Sequence, residues 1–134
     1  MATPYTVVNI AEAKDISGDY PGEIEMMTGD LQAEQVAFTH RHLAPETGGM
    51  RGNRDGHSHK TQEEIYYVIS GTLKIKLDDE VLDLGPGTAI RIAPSTARSV
   101  WNEGPEDVQM TMVSPKVDSL RDDVEFHADF WAGI

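Results

Sequence analysis

Gly56-His57-Ser58-His59-Lys60-Thr61-Gln62-Glu63-Glu64-Ile65-Tyr66-Tyr67-Val68-Ile69-Ser70-Gly71 joins a histidine pair to a run of strand-forming residues. Its second half, rich in β-branched and aromatic residues and closed by Ser70-Gly71, reads as a strand ending in a turn. In an extended strand side chains alternate, so His57 and His59 project to one side. Two imidazoles on one face, met by the Glu64 carboxylate from the next strand, can close on one divalent ion. Glu63 points the other way by parity. A bare His-x-His arises too often by chance to carry weight; the longer pattern is far less accidental.

Outward from this stretch, short apolar runs alternate with turn residues. The pattern predicts strands over 35–43, 56–59, 64–70, 72–77, 81–84, 88–93, 97–102 and 108–113. Ser70-Gly71, Asp78-Asp79, Gly85-Pro86-Gly87, Pro94-Ser95 and Glu103-Gly104-Pro105 punctuate them with residues that tolerate turn geometry. Leu73-Lys74-Ile75-Lys76-Leu77 alternates strictly, which puts Leu73, Ile75 and Leu77 inside and both lysines in water. About eight strands without helical interruption predict an all-β sandwich or barrel. Residues 35–113 hold the barrel. Residues 1–34 form an N-terminal extension packed on it or on a partner subunit, and 114–134 a C-terminal tail. That tail carries a short helix near 118–124, then Phe126, Phe130 and Trp131, which dock on the barrel or on a second subunit.

The histidine stretch resembles the first motif of the cupin superfamily: glycine, five residues, His-x-His, three or four residues, Glu, six residues, Gly. His57, His59, Glu64 and Gly71 fit that spacing. The leading glycine is off register, with Arg51 at its position and Gly49 and Gly52 nearby. The second motif runs glycine, five residues, Pro-x-Gly, two residues, His, three residues, Asn. Gly87 and Asn102 hold its ends, whereas Ala93 and Ser95 replace the proline and second glycine. Arg98 stands where the family's third metal-binding histidine would be. The resemblance spans roughly 35–113 and implies a cupin jelly-roll β-barrel, a double-stranded β-helix. It also implies a homodimer, since small cupins often pair through their sheets.

Family members with all four ligands hold the ion with three His and one Glu; this chain offers His57, His59 and Glu64. That set suits iron(II) oxygen chemistry when positions stay open, and manganese, nickel, copper or zinc can also be held. Arg98 keeps its proton and cannot ligate. A guanidinium about 5 Å from a divalent ion is repelled by roughly 6–7 kcal/mol at an effective dielectric near 20. Full structural zinc sites bind with roughly 10–16 kcal/mol. The penalty weakens a three-ligand site without forbidding it. Arg98 either turns from the ion and forks onto a substrate carboxylate or phosphate, or pairs with Glu64 in a metal-free pocket. A one-residue register shift at Pro94 would instead point it outward.

Other residues have blander readings. His40 and His42 make a second His-x-His, but Pro45 and Gly48-Gly49 break the strand after them, so a polar outer face is expected; the alternative is a supplementary ligand. His127 is expected exposed or packed. Tyr66 shares the side of Glu64 and either donates a proton or packs with its hydroxyl satisfied. Phe38, Met110 and Met112 are candidate pocket walls, and Trp101 faces away from Arg98.

Composition sets limits. With 134 residues, 39% hydrophobic, the chain can own a core. A net charge of −12 repels phosphate backbones and anionic membranes, so nucleic-acid binding and membrane association are not expected. The absence of cysteine leaves neither disulfide nor thiolate site. The first positive side chain, Lys14, follows the apolar stretch, unlike a secretory leader, so a cytoplasmic location is expected. Two functions compete. One is a metal-dependent oxygenase (a dioxygenase), isomerase or lyase acting on a small anionic molecule, with Arg98 orienting it and Tyr66 assisting proton transfer. The other is a metal-free cupin that binds such a ligand without catalysis.

Overall fold

The computed structural model describes residues 4–17, 23–50 and 55–134. Arg51 and Gly52, at the off-register start of the first motif, lie outside them. Eleven strands fill the described residues: β1 (Glu23–Met26), β2 (Val36–Leu43), β3 (Thr47–Gly48), β4 (Gly56–His59), β5 (Glu64–Ser70), β6 (Leu73–Leu77), β7 (Glu80–Leu84), β8 (Ala89–Ile92), β9 (Arg98–Asn102), β10 (Val108–Pro115) and β11 (Val124–His127). One helical turn, α1 (Leu120–Asp123), precedes β11. It is shorter than the helix expected near 118–124. No helix among the described residues is long and apolar enough to cross a membrane.

Two antiparallel sheets face each other, ordered β1-β2-β10-β5-β8 and β11-β4-β9-β6-β7, with β3 added against β9. This is the jelly roll that the cupin resemblance implies, within the sandwich-or-barrel class that the strand pattern predicts. Alternation decides what lies between the sheets. Leu43, Tyr66, Val68, Ile75, Val100 and Met110 are buried members of one core cluster, each worth about 1.5–3 kcal/mol of apolar burial. Gly71 (φ +78°) makes the β5–β6 turn, where a Cβ would meet the Asp107 carbonyl at 2.3 Å. Asn102 is a latch: its amide donates to the Leu43 and Glu106 carbonyls, and its oxygen accepts from Gly104 N–H. Gly48 and Gly49 do not simply end a strand. They let β3 approach β9, since a Cβ on Gly48 would meet the Val100 carbonyl at 2.4 Å.

The C-terminal segment departs from expectation by adding a strand. β11 pairs with β4 in the register Val124↔His59 to His127↔Gly56. Beyond it Trp131 is fully buried and donates Nε1–H to Ser99 Oγ at 2.7 Å. Lys76, expected in water, is buried there; its ammonium donates to the Phe130 carbonyl at 2.8 Å and sits 4.0 Å from the Phe130 ring centroid. The lysine does face outward, but the tail covers that face. Phe126 remains exposed.

Candidate metal centre

β4 and β5 build one wall of the site. His57 and His59 share a face of β4, and Glu64 opens β5 on the side of Tyr66 and Val68. One donor atom from each of His57, His59 and Glu64 lies within 4.8 Å of the others. The two imidazole rings are nearly perpendicular, 5.1 Å between centroids. His59 is wedged between two carboxylates: Nε2 is 3.1 Å from Glu64 Oε1 and Nδ1 is 3.2 Å from Asp123 Oδ2. Asp123 also accepts from Thr61 N–H at 2.8 Å, the Thr61 hydroxyl at 2.5 Å and Gln62 N–H at 3.3 Å.

β9 brings the opposing charge. Arg98 is the cross-strand partner of His57, so the two side chains share a face. Its guanidinium is fully buried; Nη2–H donates to Glu64 Oε1 at 3.0 Å and Nη1–H to the Thr96 carbonyl at 2.9 Å, while Nε–H meets no acceptor among the described residues. Arg98 thus points inward and rests on Glu64. The turn before it keeps the shape that the family's glycine allows: Ser95 sits at φ +69° and donates N–H to the His59 carbonyl at 2.7 Å. Tyr66 is buried, its hydroxyl 3.5 Å from Glu64 Oε1, long for a hydrogen bond.

These neighbours fix charge states. Burial, then the Arg98 charge, depresses His57 to about 3, so its ring is neutral with a lone pair to offer. Burial pushes Glu64 up, but the His59 ring and the Arg98 guanidinium beside it outweigh burial and hold the carboxyl below its usual range. Burial and the Glu64 charge raise Tyr66, which stays a phenol. Burial likewise pushes Asp123 up, and the Thr61, Gln62 and His59 hydrogen bonds bring it below the ordinary value.

The donor set fits a divalent ion. Asp123 takes up His59 Nδ1, so Nε2, 3.1 Å from Glu64 Oε1, is the nitrogen on the side where His57 and Glu64 converge. Bonds of about 2.1 Å put cis donors about 3 Å apart. Arg98 is the competitor, since it already draws on the same oxygen.

The second His-x-His stays outside. His40 lies 3.7 Å from Glu25, and His42 contacts Glu23 and, at 2.8 Å, Asp107. Phe38 pairs with Val113 on that outer face and is not a pocket wall; Met110 pairs with Val68 and Met112 with Tyr66, on the inner face. His127 binds Ser58 Oγ at 2.8 Å. Glu63 points outward to Arg91 at 2.9 Å. Trp101 lies half-buried opposite Lys74, on the face away from Arg98. Two residues near the site escape the sequence reading. Arg41 is buried beside Met110 on the inner face of β2, and only the parity of His40 and His42 as outward residues would have revealed it. Asp123 has no nearby signal beyond the Ser119 cap of α1.

Two facing sheets with imidazoles, a carboxylate and a guanidinium between them define a small barrel with a polar cluster in its interior. The chain belongs to the cupin family: the cupin-domain family pattern matches residues 40–114. An uncharacterized protein of Methanocaldococcus jannaschii is 40% identical over 48 residues, 36% of this chain and 38% of that protein, so the match spans well under two thirds of the relative. Three solved structures share the fold. A cupin protein from Bacteroides fragilis has TM-score 0.68 and 24% identity, over 90% of this chain and 91% of that one. The polyketide cyclase RemF from Streptomyces resistomycificus has 0.67 and 19%, over 88% of each. KdgF from Halomonas sp. has 0.65 and 18%, over 87% and 97%.

Proposed function

We propose that this cupin is a metal-dependent enzyme, of oxygenase, isomerase or lyase type, acting on a small anionic molecule. The observation that carries the reading is the convergence of His57, His59 and Glu64, whose donor atoms lie within 4.8 Å of one another, with the His57 ring neutral. His57, His59 and Glu64 would hold the ion, which supplies Lewis acidity or dioxygen binding according to its identity among iron, manganese, nickel, copper and zinc. The protein's own groups do the rest. Arg98 Nε–H offers a free donor to a substrate carboxylate or phosphate, and Arg41 adds a second buried positive charge. Tyr66, kept as a phenol, can hold a proton next to Glu64. The apolar core behind them excludes water.

Elemental analysis of protein purified without added metal tests this. About one ion per chain is expected, and it should vanish in His57→Ala. Failure of the wild type to take up any of the five metals on reconstitution would overturn the enzyme reading. It would favour a metal-free cupin binding a small anion, the reading that the 3.0 Å Arg98–Glu64 pair supports.

A homodimer forming through the outer face of β5 is part of the same proposal. Ile65, Tyr67 and Ile69 are consecutive outward positions, 45%, 43% and 47% exposed, and Val36 lies on the same sheet. Single exposed apolar residues are ordinary, but a stripe of them suits a partner. Light scattering should give twice the chain mass for wild type and the monomer mass for Ile65→Glu; a monomeric wild type would refute the dimer.

A further inference from the structure

Residues 59–62 all bond to Asp123. Its side chain takes His59, Thr61 and Gln62, and its backbone carbonyl accepts Lys60 N–H at 2.8 Å. Asp123 is buried, and the segment carrying it is tied to the barrel on both sides of this contact. Ser119 Oγ caps α1 by accepting Asp122 N–H, β11 is paired with β4, and His127 binds Ser58. Trp131 and Phe130 fasten the end to Ser99 and Lys76. The pairing of Val124 with His59 puts Asp123 at the His59 ring; a one-residue slip would carry it away.

We infer that Asp123 is a positioning residue through which the C-terminal segment selects the proton-bearing nitrogen of His59, and thereby the nitrogen left open to a cation. The inference rests on the metal reading above for its consequence, but not for its geometry. An ionised carboxylate only accepts, so Nδ1 must carry N–H to bond Asp123 Oδ2. A neutral imidazole has one N–H, which leaves Nε2 as a lone pair toward Glu64. Asp123 cannot turn aside, because Thr61 N–H and its hydroxyl hold the other oxygen. In Asp123→Asn those two short bonds outweigh the longer one from Gln62 N–H at 3.3 Å, so the amide oxygen stays on the Thr61 side and the amide NH2 faces Nδ1. His59 must then accept at Nδ1, and its proton moves to Nε2, where it bonds Glu64 and closes the site.

The test compares wild type, Asp123→Asn and Ser58→Ala without metal. Long-range 1H–15N spectra of the histidine rings at about pH 8 should place the His59 proton on Nδ1 in wild type and on Nε2 in Asp123→Asn. Zinc affinity, measured against a chromophoric chelator, should fall about 10–100-fold in Asp123→Asn. Ser58→Ala loosens the same strap at His127 and should change neither reading. Thr61→Val, which strips one anchor from Asp123 and keeps the carboxylate, should lower zinc affinity a few-fold even if Asp123→Asn fails to fold. A wild-type ring with its proton on Nε2 or on both nitrogens, an unmoved proton in Asp123→Asn, a Ser58→Ala loss matching that of Asp123→Asn, or unchanged affinity in Thr61→Val would each overturn the inference. If the wild type binds no zinc, the metal reading fails, while the proton positions still decide the role of Asp123.

Discussion

Two walls of one site obey opposite rules. On β4 and β5 the converging groups His57, His59 and Glu64 are electron-pair donors, with the Tyr66 phenol beside them. On β9 and β2 the inward polar groups include two guanidinium ions, Arg98 and Arg41. The first wall follows the family's metal-binding pattern, and the second departs from it at the position of the third histidine. Glu64 is where the walls meet, because its Oε1 serves both His59 and Arg98. The lesson is that one carboxylate has two suitors, an ion and an arginine. Which of them holds it is the difference between the two functions proposed above.

The comparison breaks most sharply if Glu64 loses its charge. Glu64→Gln leaves Arg98 buried without that partner, a change expected to cost about 3–5 kcal/mol in urea unfolding. A loss below about 1 kcal/mol would mean that Arg98 draws its countercharge elsewhere. Next in size, Arg98→His removes the competing cation and restores a third imidazole. Zinc binding should tighten about 100-fold, or ~2.7 kcal/mol; unchanged affinity would show that Arg98 does not oppose the ion.

A smaller effect sharpens the donor wall. Folded His57 stays neutral down to about 3, whereas an unfolded histidine takes its proton near 6.5. The unfolded state therefore binds more protons in that window, so stability falls as pH drops below about 6.5 and is flat above it. Between about pH 6.5 and 4.5 wild type should lose about 2 kcal/mol more than His57→Gln. Parallel curves for the two proteins would refute the buried, neutral ring.

Sequence legibility followed alternation and failed where coverage came from afar. The core strands read correctly because their inner and outer residues differ, as in Leu73 to Leu77. β1 and β11 escaped because Glu23-Ile24-Glu25-Met26 and Val124-Glu125-Phe126-His127 are short edge strands of mixed polarity, stabilised by the neighbour they pair with. Lys76 was legible as outward-facing but not as buried, since its cover is supplied by Phe130, 54 positions along the chain. The donor triad was legible by parity and spacing. Arg41 hid between two more conspicuous histidines.

The order of residues by itself determined an antiparallel barrel and the convergence of His57, His59 and Glu64, because a two-residue period fixes which side chains face inward. Tertiary structure alone decided that Arg98 rests on Glu64 and that Asp123 holds His59. Both are contacts between segments distant in sequence, 34 and 64 residues apart. Local alternation can aim a side chain at the interior, but strand register and the docking of the C-terminal segment choose what it touches there.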